Sequence, residues 1–181
     1  MPRLIPLAAA AYSDAQRHVA DEVRGGRRGT VPANVEAWLR SPELAARAAR
    51  LGEFVRYETA LPPALSELAI LVVARRWRAH YEWAVHAGEA ARAGVTPPVI
   101  AAIAAGEAPV LDADAAAAVY GFARDLVTDG RVSDARYAAA VGALGEAGVV
   151  DLVAVVGYYT LVAFTLNAFE VAAPDGAPRL P

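Results

Sequence analysis

The 181 residues contain no cysteine and no lysine, since every one of the 17 basic residues is an arginine. Without a thiol, the chain cannot form disulfides, cycle a dithiol or hold a metal through thiolate. Without a lysine, Schiff-base and pyridoxal-phosphate chemistry are excluded. There are only three histidines, His18, His80 and His86, and no HExxH pattern, so a zinc site fails on counting. The net charge of −3 comes with no basic cluster, and the pair Arg27–Arg28 beside Gly25–Gly26 is too short a patch to hold nucleic acid. Strand patterns are missing as well. What remains is a chain 56% hydrophobic, much of it alanine, a composition that favours close helix–helix packing.

Two stretches touch on membranes. "MPRLIPLAAAAYSDAQ" is superficially like a signal peptide, but Pro6 interrupts its apolar run and no strongly basic segment precedes it, so it reads as an ordered arm. "LVAVVGYYTLVAFTLNAF", Leu152 to Phe169, is near the length limit for spanning and includes Gly157, two tyrosines, two threonines and Asn167. It reads as a buried central or interface helix. The expectation is a soluble, cytoplasmic protein.

Helix signals recur along the chain. Ser13–Asp14 caps a first helix that ends near "GGRRG", and Pro32 precedes a short piece around "ANVEAWLRS". Ser41 with Pro42 opens a helix with Leu44, Ala48, Leu51 and Val55 at helical spacing, and Arg47, Arg50, Glu53 and Arg56 facing out. "LPP" at 61–63 starts a run of about 30 residues, long enough to predict a break near Arg78–Ala79. Thr96–Pro97 opens a short helix, and three more follow. The prediction is an all-α single domain: an N-terminal arm and first helix over 1–34, a bundle over 35–172 and a polar, proline-rich tail over 173–181.

Chemistry concentrates in "AHYEWAVH", Ala79 to His86. Glu82 and His86 stand one helical turn apart on one face, where a carboxylate can orient an imidazole and form a general acid/base pair. Such pairs are also common as solvated surface contacts. Tyr81 and Trp83 flank this pair as candidate walls, whereas Trp77 reads as packing and His80 as a solvated or interface histidine. Ser13, Ser41, Ser66 and Ser133 have capping or helix-start roles, which leaves a serine nucleophile without support.

The run "ELAILVVARRWRAHYEWAVHAGEAARAGV" resembles the carboxymuconolactone decarboxylase family, which includes the alkylhydroperoxidase D-like proteins. The likeness continues through "GVTPPVIAAIAAG", "VYGFARDLV" and "GYYTLVAFTLNAFEV", over most of 35–172. The family's redox members carry a glutamate, a CxxC pair and a histidine four residues beyond it. On this chain those positions fall on Glu67, on Ala79 and Glu82, and on His86. The disulfide-cycling peroxidase mechanism therefore cannot operate here.

The Glu–xxx–His arrangement is similar to the family's non-redox decarboxylase branch. The resemblance implies a cofactor-free lyase or isomerase acting on a small carboxylated lactone or aromatic-derived metabolite, with no metal. His86 would transfer the proton, Glu82 would orient it or share the proton, and Glu67 would reach the same cavity. Arg75 or Arg78 would bind substrate carboxylate or lie on the surface. Tyr159 and Asn167 would line the pocket or bond between helices. A ligand-binding or assembly protein on the same scaffold is the alternative, and a redox enzyme using a partner's thiol or an added cofactor is a third reading. Two strongly apolar helices, 64–93 in part and the last one, lead to a further expectation of a homo-oligomer (dimer, trimer or hexamer) with 64–93 at the interface. No nucleic-acid or membrane partner is expected.

Overall fold

A computed structural model describes residues 3–181. Its elements are α1 (Asp14–Gly25), α2 (Ala33–Trp38), α3 (Pro42–Tyr57), α4 (Pro63–Arg76), α5 (His80–Ala93), α6 (Pro97–Ala105), α7 (Asp114–Asp129) and α8 (Asp134–Ala168), with a 3₁₀ turn at Ala9–Ala11. No strand is present among the described residues. The all-α expectation holds.

The helix starts follow local chemistry. Ser13 and Gln16 form a reciprocal capping box at α1, in which the Gln16 N–H donates to the Ser13 hydroxyl and the Ser13 N–H to the Gln16 side chain. Ser41 and Thr96 occupy N-cap positions without their side chains accepting a backbone N–H, so Pro42 and Pro97, with φ preset at the first helical position, mark those starts instead. The break between α4 and α5 falls at Trp77–Ala79, where Arg78 adopts the left-handed conformation at φ 50°. A second break lies inside α8, where Gly145 at φ 71° separates a proximal from a distal half.

α4 is the central element, packed against α5, α6, α7 and α8. Every residue from Leu68 to Ala74 is buried within one chain. The expected leftover apolar surface is therefore not on 64–93. It lies on α3, at Leu44, Leu51 and Phe54, and on α8, at Val150, Val153, Leu161 and Phe164. α8 is the one described helix long and apolar enough to cross a bilayer, with a window of mean hydropathy 2.0. It is also in contact with α2, α3, α4, α5 and α7, as a core helix would be.

Both chain ends are tied down. The arm crosses the end of α8, with the Arg3 N–H donating to the Phe169 carbonyl at 3.0 Å and the Arg3 guanidinium paired with Glu170 at 2.8 Å. The tail expected to be merely polar buries Leu180, and the Arg78 guanidinium donates to the Pro181 carbonyl at 3.4 Å. Burial of Leu180 favours the folded-back tail.

Candidate active site

α5 begins directly after the break, and its first two turns carry Tyr81, Glu82, Val85 and His86 to a space bordered by the 28–34 segment, α3 and α8. Glu82 and His86 are both buried there, one turn apart. The hydrogen bond expected between them is not formed. His86 Nδ1 instead meets Glu67 Oε2 of α4 at 2.8 Å, with both side chains nearly enclosed. Glu67 approaches the ring from the neighbouring helix. Glu67 thus takes the orienting position expected of Glu82.

Glu82 has the more unusual surroundings. It is 2% exposed, and neither carboxyl oxygen has a hydrogen-bond partner. It sits in the first turn of α5, where the helix dipole favours a negative charge. Burial opposes this and prevails, pushing the carboxyl well above its ordinary value. Glu82 is a buried carboxyl, biased by burial toward its neutral form, beside a hydrogen-bonded His–Glu pair.

Glu82 and His86 line a cavity of about 310 Å³, of a size for a small molecule, whereas Glu67, expected to reach the same cavity, bonds to His86 without lining it. Tyr81, Tyr158, Tyr159 and Val162 form walls, and the Tyr159 ring packs edge-on against His86 at 4.9 Å. The hydroxyls of Tyr158 and Tyr159 are buried without partners. Burial raises the Tyr159 pKa, with Arg56 and Arg28 pulling back only in part, so this hydroxyl remains a donor. The Glu82 oxygens and the Tyr159 hydroxyl thus belong to cavity-lining residues and still have hydrogen bonds to make, whereas the Tyr158 hydroxyl has Asn34 and Arg28 beside it.

Two arginines border it as well. Arg28 Nη2 donates to the Gly52 carbonyl at 2.8 Å, and a Cβ on Gly52 would overlap the Tyr158 hydroxyl and crowd that guanidinium. Gly52 is thus what lets α3 admit both groups. Arg56, expected to face solvent, is largely enclosed and lies 3.5 Å from Glu89. Burial works against its charge, but Tyr159, Tyr57, Glu67 and Glu89 outweigh it and raise its pKa. Neither arginine has a local sequence signal. Arg28 reads as part of a short surface pair, and Arg56 follows the outward face of α3 until α8 covers it.

Other expected site residues lie elsewhere. Trp83 is core, because one residue past Glu82 is a turn of about 100° around the helix, away from the cavity. Arg78 is in the helix break, bonded to the tail. Asn167 is exposed and donates to the Trp77 carbonyl at 2.7 Å, which is the interhelical bond and not a pocket contact. Arg75 lies at a separate cavity. Tyr81 and Tyr159 border the expected space. Among the described residues no group of three His, Asp or Glu side chains is arranged to hold a metal ion.

Residues 42–125 match the model of the carboxymuconolactone decarboxylase family. The match covers just under half of the chain. No curated protein matches the chain. The carboxymuconolactone decarboxylase segment contains Arg56, Glu67, Tyr81, Glu82 and His86, while Arg28, Asn34, Tyr158 and Tyr159 reach the cavity from outside it. Where redox relatives would carry cysteines, this domain has Ala79, fully buried just before α5, and Glu82.

Proposed function

We propose that this cavity is a cofactor-independent acid/base site of a lyase or isomerase in a cytoplasmic enzyme. Its substrate class is a small carboxylated lactone or aromatic-derived metabolite. One observation carries the reading: the cavity is lined by His86, which is bonded to Glu67 of α4, and by Glu82, a second carboxyl group that burial biases toward its protonated form. An imidazole beside a carboxyl whose surroundings favour the neutral form provides a base and an acid in one site.

His86, oriented by Glu67, takes a proton from carbon next to a carbonyl. Glu82 returns a proton to the far end of the resulting dienolate, which completes an isomerisation. In a decarboxylation the electrons of the breaking C–C bond enter the same conjugated system as CO₂ leaves, and Glu82 protonates the carbon. Tyr159 donates to the oxygen on which negative charge develops. Arg28 and Arg56 hold the substrate carboxylate.

The test is a panel of small lactones, keto acids and aromatic carboxylates in deuterated water, followed by NMR. The expected result is enzyme-dependent deuterium incorporation that falls by about 10²-fold or more in His86→Ala and in Glu82→Gln, with both variants still folded. Saturable binding with no exchange for any compound would favour the ligand-binding alternative. Exchange that survives His86→Ala would remove the assignment of the base.

A further inference from the structure

A second cavity of about 280 Å³ opens at the corner between α4, α6 and α7, and shares no lining residue with the acid/base site. Three arginines border it: Arg75, Arg76 and Arg124. Each is set in place by a neighbour. Arg76 lies over the Trp77 ring at 4.7 Å, and Arg124 over Tyr120 at 5.8 Å with two further bonds to Asp125. Arg75 rests against Gly106, where a Cβ would lie 2.7 Å from its Nη2. Gly106 closes α6 at φ 81°, so its missing side chain serves both the turn and the guanidinium.

The charges do not cancel. Glu107 borders the cavity but forms no ion pair, and Asp125 is shared between Arg124 and Arg136. Four arginines thus face two carboxylates on a protein whose net charge is −3. Arg75 and Arg76 stand in the last turn of α4, where the helix dipole favours cations. That accounts for positive residues there, but not for the Arg75 Nε, which is buried with no acceptor. The remaining walls are apolar, from Val72, Ile103 and Val127.

We propose that this corner is a second binding site, for a small organic anion whose carboxylate is held by Arg75 and Arg76 and whose apolar body packs against Val72, Ile103 and Val127. Planar guanidinium groups match a carboxylate with two parallel hydrogen bonds. Arg75 lies eight residues beyond Glu67 on α4, about 12 Å along the helix axis. A ligand here therefore contacts the element that orients His86 without entering its cavity.

The experiment is calorimetric titration of the full chain with benzoate, acetate and inorganic phosphate, at low salt where charge pairing is least screened. Benzoate should show a saturable binding event that weakens about tenfold or more in Arg75→Gln/Arg76→Gln, roughly the loss of one charge-assisted contact. Arg28→Gln/Arg56→Gln, in the other cavity, should leave that event unchanged. Acetate and phosphate should bind at least about tenfold more weakly, since neither buries an apolar body. The single variant Arg76→Gln, at an exposed position, repeats the test if the double variant melts early. Absence of any event sensitive to Arg75 and Arg76 overturns the site, and phosphate binding as tight as benzoate overturns the organic-anion class.

Discussion

α4 and the distal half of α8 both contain long apolar runs, and they are buried differently. α4 is surrounded by four helices, and its residues from Leu68 to Ala74 are all enclosed. α8 encloses Leu152, Val155, Val156, Tyr159, Val162 and Leu166 while leaving Val150, Val153, Leu161 and Phe164 exposed. The exposed set recurs at three, eight and three residues, with the exposed Gly157 between, so it forms one stripe. α8 is therefore two-sided in burial although it is apolar on both sides in sequence. Hydropathy says that a helix seeks cover. It does not say which side of it one chain can cover.

The largest effect that sharpens this contrast is on stability. Leu71 is fully enclosed on α4, and Leu71→Ala should cost roughly 2–5 kcal/mol through lost burial and the cavity left behind. Val153→Ala, on the exposed stripe of α8, should change the stability of the isolated chain by no more than about 0.5 kcal/mol. Urea unfolding of both variants measures the difference. Equal losses would mean that the α8 stripe is packed as tightly as α4.

A smaller effect concerns assembly. We propose that the stripe on α8, with Leu44, Leu51 and Phe54 of α3, is covered by another copy of the chain, burying upwards of roughly 2,000 Å² as obligate contacts do. Val153→Glu/Leu161→Glu should weaken association by about 2–3 kcal/mol, the effect of removing two apolar side chains from an interface. Light scattering at micromolar concentration should then find the parent chain larger than one subunit and the variant shifted to the monomer. A monomeric parent would break the comparison, leaving the stripe simply solvated.

The same contrast explains what the sequence made legible. Helix positions are local matters: Pro42, Pro63 and Pro97 mark starts, and the long run from 64 to 93 breaks at Arg78 because three consecutive residues leave the helix there. The spacing of Glu67, Glu82 and His86 relative to the family pattern points to one neighbourhood, in which Glu82 and His86 line the cavity and Glu67 bonds to His86. The choice between Glu67 and Glu82 as partner of His86 depended on how α4 faces α5, which no spacing within α5 contains. Arg28, Arg56 and Tyr158 were missed for the same reason, since their place depends on Gly52 letting α3 lie close to α8 and the 26–32 segment. Trp83 turns to a different face of α5 from Glu82, and of the two roles open to Asn167 the structure forms the bond between helices.

The smallest effect is a change of slope with pH, and it tests the neutral state of Glu82 without any substrate. In the folded chain, burial raises this carboxyl above its ordinary value of 4.5. Below that pH the group is protonated whether the chain is folded or not, and its ionisation contributes nothing to stability. Above it, the unfolded chain releases the proton while the folded chain retains it, so the unfolded state gains and stability falls. The fall continues until the pH reaches the raised folded value, where both states ionise. Glutamine keeps the shape and cannot ionise, so Glu82→Gln removes that part of the slope. Melting temperatures of the two proteins should have their closest spacing near pH 4 and diverge in favour of the variant as the pH rises toward 8. A constant separation across that range would mean that Glu82 ionises as easily inside the cavity as in water. The contrast between a base at His86–Glu67 and an acid at Glu82 would then be lost, and with it the division of labour proposed for the site.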